Sequence, residues 1–146
     1  MGTGFHMTLG AHLSDVARVH ATFANFATAH RVPPDVRRSL QVVLDELLAN
    51  IVTHGLTGCA GGEATIDVVL SAEALVVTLA DNGPPFDPLG RAAPDTTLPV
   101  ADRQIGGLGV HLARQMMDEV RYDRRDDRNV TVLLKRITEI EGTSRA

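Results

Sequence analysis

The sequence predicts a two-layer α/β sandwich, with helices on one face of a mixed, mostly antiparallel sheet. Three observations predict it. Apolar residues alternate in some segments and recur at three- and four-residue steps in others, the signatures of half-buried strands and amphipathic helices. These segments run in the order strand, two helices, two strands, a long unpatterned stretch, helix, two strands. The chain has 146 residues, the size of one domain with one core between two layers.

The first segment places Phe5, Met7 and Leu9 on one face of a strand. Residues 1–6 are also readable as a tag remnant and carry little weight. Ser14 or Asp15 is positioned to cap a helix that ends near His30, with Val16, Val19, Phe23 and Phe26 as its apolar stripe. Pro33-Pro34-Asp35 opens a second helix, because proline is tolerated in the first turn. Its apolar face is Val36, Leu40, Val43, Leu44, Leu47, Leu48 and Ile51, and Gly55 and Gly58 stop it. Ala64, Ile66, Val68 and Leu70, then Leu75, Val77 and Leu79, alternate as an antiparallel hairpin around Ser71-Ala72-Glu73. From Phe86 to Ile105 no period survives, and a structureless stretch of that length is usually functional. Gly106 to Gly109 opens a third helix carrying Val110, Leu112, Ala113, Met116 and Met117. Val120–Arg124 and Val130–Lys135 close the chain as strands around a turn at Asp126–Arg128. The whole is read as a single domain, residues 1–146.

Composition narrows the function classes. Hydrophobic residues make up 44% and charged residues 22%, the proportions of a folded chain rather than a disordered one. Aromatics are only 3%, with no Trp and one Tyr, so Val, Leu, Ile, Ala and Met must build the core. A net charge of −4 weighs against nucleic-acid binding. The lone Cys59 excludes an internal disulfide and a thiolate zinc cluster. The six histidines, His54 among them, show no metal-ligand spacing. No apolar run approaches the ~18 residues of a membrane span, and no secretory signal is visible, so the expected location is cytoplasmic. The single lysine, Lys135, follows Leu134, which excludes a Walker A loop.

Three motifs carry chemistry. Glu46, Asn50 and His54 fall at i, i+4 and i+8, one line along a helix among apolar neighbours. Oxygen donors in line suit a Mg²⁺ ion or a water relay, although the same spacing also describes a solvated helix edge. Asp81-Asn82-Gly83-Pro84-Pro85-Phe86-Asp87 ends a strand. Asp81 is able to accept a hydrogen bond from the amino group of a base, and Gly83 lets backbone approach closely; a plain turn fits the same residues. Gly106-Gly107-Leu108-Gly109 precedes a helix, where exposed N–H groups attract an anion, or where a hinge ends a loop.

In this order and spacing the three motifs resemble the GHKL (Bergerat-type) ATP-binding superfamily. LDELLANIVTHG (Leu44 to Gly55), ADNGPPFDP (Ala80 to Pro88) and GGLGVHLARQMMDEVRY (Gly106 to Tyr122) resemble bacterial anti-sigma factor serine/threonine kinases most closely. The resemblance runs from about Leu9 to Arg136. It implies that Glu46 is the general base and that Asn50 coordinates Mg²⁺. It implies that Asp81 binds the adenine amino group, with Gly83 beside it, and that Gly107, Leu108 and Gly109 offer N–H groups to the ATP phosphates. Residues 88–105 are then an ATP lid, from which Arg91 and Arg103 reach the γ-phosphate. Arg18 falls where this group contacts its partner. The implied partners are a STAS-type anti-anti-sigma factor and a sigma factor, with a homodimer formed through the first strand and first helix. One position departs from the pattern. The family often carries Gly-Thr before the last strand, and here Arg128-Asn129 stands there, so either Asn129 or Thr131 is the base contact. Two other functions compete: a nucleotide-sensing module without transfer, and a histidine kinase catalytic domain. The second ranks last, because that class usually carries a phosphoacceptor helix upstream, and the roughly 35 residues before the Asp35 helix read as a strand and one helix.

Overall fold

The computed structural model describes residues 3–56, 59–85 and 113–137. Five strands form one sheet: β1 (Thr3–Leu9), β2 (Ala64–Leu70), β3 (Ala74–Asp81), β4 (Glu119–Arg125) and β5 (Arg128–Arg136), in the order β1-β2-β3-β5-β4. Every neighbouring pair is antiparallel, so among the described residues the sheet is not mixed as the sequence suggested. β2–β3 and β4–β5 are hairpins. The second closes on Asp126 and Asp127, both at positive φ, as a tight two-residue turn requires and Asp tolerates.

Two helices cover one face. In α1 (Leu13–Ala29) the stripe Val16, Val19, Phe23 and Phe26 is buried. In α2 (Pro34–Asn50) Val36, Leu40, Val43, Leu44, Leu47 and Leu48 are buried, while Ile51 lies just past the end and is half-buried. They pack on Leu9, Ala64, Ile66, Val68, Leu70, Leu75, Val77, Leu79 and Leu133 of the sheet. Burying each such side chain stabilises the fold by about 1.5–3 kcal/mol relative to exposure. Of the third predicted helix only residues 113–116 are described, with Ala113 and Met117 reaching the core. Lys135 Nζ donates to Met116 O at 2.8 Å and satisfies a carbonyl at that helix end.

The helix ends differ from the sequence expectation. His12 is the N-cap of α1 and its side chain makes no cap hydrogen bond; Ser14 does not cap either. Asp15 instead accepts the Gly10 N–H at 2.9 Å, tying the end of β1 to the first helical turn. Arg31, at φ 56°, closes α1 in the left-handed conformation usually given to glycine, with Val32 N–H bonded to Ala27 O. Helix α2 does not run on to Gly55 as an α-helix. From Ile51 to Leu56 it widens into a π-helix, a form concentrated at functional sites.

Candidate functional site

Antiparallel alternation decides which side chains share the helix-covered face. Leu9, Ala64, Asp81, Asn129 and Arg124 form one cross-strand row. Met7, Ile66, Leu79, Thr131 and Tyr122 form the next. Asp81 therefore belongs to the strand itself. It is the last position of β3, turned inward and 6% exposed, beside Asn129 at 5%.

A buried carboxylate is costly unless hydrogen bonds replace water. Oδ1 of Asp81 accepts the Gly83 N–H at 3.0 Å and Nδ2 of Asn129 at 3.0 Å. Among the described residues no donor reaches Oδ2. The opposite end of the Asn129 side chain accepts the Tyr122 hydroxyl at 2.5 Å, and Nδ2 also donates to Pro84 O at 2.8 Å. Arg124 donates to Gly83 O at 2.8 Å. Tyr122 and Arg124 were not singled out by sequence. Their alternation on β4 was visible, but their nearness to Asn129 and Gly83 follows only from strand register.

Gly83 is buried with no room for a side chain. A Cβ there would lie 2.7 Å from Gly55 O and 3.0 Å from Asp81 Oδ1. The π-helix thus lies directly against the Asp81–Gly83 turn. Asn82 points elsewhere: it accepts the Glu63 N–H at 2.8 Å and donates to Gly61 O at 3.0 Å, closing the loop before β2.

Glu46 and Asn50 lie one turn apart on α2, both half-buried, and among the described residues neither side chain makes a hydrogen bond or ion pair. Asn50 is the last α-helical residue before the π-helix. His54 lies within the π-helix rather than on α2, and its side chain is exposed. Thr131 is half-buried opposite Leu79, one row away from Asp81. Arg18 is exposed on α1, donating to Asp15 Oδ1 at 2.9 Å and to Thr8 O at 3.3 Å. These bonds to Gly10 and Arg18, in that order of weight, hold the Asp15 carboxyl below its usual range. Gly107, Leu108, Gly109, the 88–105 segment, Arg91 and Arg103 lie outside the described residues.

The structure thus brings together Asp81, Gly83 and Asn129, with Tyr122 and Arg124 behind them. Such a site can take a planar group that presents an N–H donor to a buried carboxylate oxygen.

No helix among the described residues is long and apolar enough to cross a membrane. A similar backbone occurs in the Acinetobacter baumannii histidine kinase AdeS, with a TM-score of 0.50 at 14% identity over 92% of this chain and 68% of that one. The serine/threonine-protein kinase BtrW of Bordetella bronchiseptica is 38% identical over 96 residues, 64% of this chain and 66% of that protein. The chain therefore spans just under two thirds of that relative's length. The anti-sigma F factor of Geobacillus stearothermophilus is 24% identical over 138 residues, 93% of each chain. A family model described as the histidine kinase-like ATPase domain matches residues 9–135. With that match over most of its length, the chain belongs to the histidine kinase-like ATPase domain family.

Proposed function

We propose that the chain is an ATP-dependent serine/threonine protein kinase of the anti-sigma type. Its substrate is a hydroxyl on a STAS-type anti-anti-sigma partner, and it also sequesters a sigma factor. The observation that carries this reading is the buried Asp81 carboxylate, whose Oδ2 lacks a donor among the described residues, beside a turn too tight for any residue but glycine. An adenine amino group supplies that donor. ATP use comes with the family, and the relatives named a serine/threonine-protein kinase and an anti-sigma F factor support the transfer and the partner class.

Phosphoryl transfer asks for positioning and charge stabilisation more than covalent chemistry. In this reading the Glu46 carboxylate takes the proton of the attacking hydroxyl. The hydroxyl oxygen bonds to the γ-phosphorus as the bond to the β-bridging oxygen breaks, and ADP leaves. Glu46 is half-buried and unengaged among the described residues, as suits a base awaiting substrate. The Asn50 amide oxygen is a hard, neutral donor that would hold a Mg²⁺ ion. When bound, that ion neutralises phosphate charge. Gly107, Leu108 and Gly109 are assigned to the phosphates, and Arg18 to the partner. The protein works as a homodimer in the cytoplasm.

The test is incubation with Mg-ATP and a candidate STAS-type antagonist, followed by mass spectrometry. The expected product is phosphoserine or phosphothreonine on the antagonist, and Glu46→Ala should abolish it while calorimetry still shows ATP binding. ATP binding without any transfer by the wild type would instead make the protein a nucleotide-sensing module.

A further inference from the structure

We propose that Tyr122 and Asn129 are specificity-determining positioning residues: they lock the Asp81 carboxylate so that only Oδ2 faces the base. The inference rests on the reading of Asp81 as an adenine contact and adds how this chain makes that contact selective.

The argument starts with the Asn129 amide. Both of its hydrogens are committed, one to Asp81 Oδ1 at 3.0 Å and one to Pro84 O at 2.8 Å. Its oxygen receives the Tyr122 hydroxyl. A flipped amide would turn its oxygen toward a carboxylate and a carbonyl, two acceptors facing a third, so the network permits one orientation. With that orientation fixed, Oδ1 of Asp81 holds two donors, Asn129 and the Gly83 N–H. Arg124 steadies the same turn through Gly83 O. The carboxylate plane is thereby set, and Oδ2 is left as an acceptor without a donor among the described residues.

The consequence is discrimination. A purine with an amino group at this position satisfies Oδ2. A purine with a carbonyl there places acceptor against acceptor. Sites built around a hydrogen bond reject analogues lacking the donor far more strongly than apolar pockets do. Asn129 then needs no contact with the base: its donors are spent on Asp81 and Pro84, and it acts through the carboxylate. Tyr122 acts one step further back. The three residues sit on adjacent strands, so the relay is fixed by the β3–β5–β4 register.

The experiment measures ATP and inosine triphosphate binding by calorimetry for the wild type, Tyr122→Phe and Asn129→Leu. The wild type should favour ATP by about a hundredfold or more. Each variant should reduce that ratio by about tenfold, through weaker ATP binding with inosine triphosphate little changed. Equal weakening of both nucleotides marks a merely structural role and overturns the inference while leaving the adenine site standing. A wild type that binds neither nucleotide overturns the underlying reading as well. Tyr122→Phe removes a single hydroxyl and serves should Asn129→Leu fail to fold. A second readout is available because Tyr122 is the chain's one tyrosine and tryptophan is absent. ATP should produce a tyrosine difference spectrum in the wild type that vanishes in Asn129→Leu. Its persistence in the variant, or its absence from the wild type, counts against the relay.

Discussion

Asp15 and Asp81 stand near the same end of the sheet, and each accepts the backbone N–H of a glycine and one side-chain donor. For Asp15 the donors are Gly10 and Arg18, and they occupy both carboxylate oxygens. For Asp81 they are Gly83 and Asn129, and both fall on Oδ1. The first carboxylate is paired with a cation near solvent, and its affinity for a proton is lowered. The second is buried against a neutral amide, with one oxygen lacking a donor among the described residues. The contrast separates a joint from a site. A joint satisfies its polar atoms internally, whereas a binding site keeps one costly group for the ligand to satisfy.

The glycines give the strongest way to break this comparison. Gly83→Ala should destabilise the protein by about 1–3 kcal/mol, because its Cβ meets backbone at 2.7 Å and something must shift. ATP binding should fall with it. Gly10→Ala should stay within about 0.5 kcal/mol of wild type, since its nearest neighbours, His12 and Asp15, lie at 3.4 and 3.7 Å. Urea unfolding of both variants decides, and equal costs would mean the two turns are packed alike. Next in size, Asp81→Asn should weaken ATP binding by about 1–3 kcal/mol, the range for losing a charged hydrogen-bond partner. An unchanged dissociation constant by calorimetry would remove Asp81 from the adenine site.

The smallest effect is expected at Asp15, in stability rather than affinity. Its folded pKa lies below the unfolded value of 3.8, so its contribution is fully present above that value and is lost as pH falls through the folded one. The stability gap between wild type and Asp15→Asn should therefore hold steady near neutrality and shrink below about pH 4. A gap that is constant into acid would show that the Gly10 and Arg18 bonds contribute nothing through ionisation.

Much of this arrangement was legible in the sequence. The stripes of α1 and α2 and the alternation of β2 and β3 report burial directly, because one face of each must leave water. Asp81 and Gly83 were visible as an acid and a glycine together near a strand end. Periodicity, however, gives faces and not register. That Asn129 is level with Asp81 depends on pairing across 48 positions, and with it went the roles of Tyr122 and Arg124. The π-helix was invisible for another reason: Ile51 to Leu56 keeps an apolar spacing that an α-helix also accepts, and the contact between Gly55 and Gly83 is made across 28 positions of the chain. The expected Ser14 or Asp15 cap failed because the Asp15 carboxylate had a better donor in Gly10.

The sheet is two hairpins joined where β3 meets β5, with β1 added at the outer edge of β2 and residues 82–118 as the connection between the hairpins. Closing such a connection costs entropy only logarithmically in its length, about 0.6 kcal/mol for each doubling. Changes of length that spare Gly83, Pro84 and the core residues Ala113 and Met117 are therefore cheap as long as the β3–β5 seam holds. That seam carries Asp81 and Asn129 themselves, so the carboxylate and its amide partner are held level by strand pairing, whatever the length of the chain that runs between them.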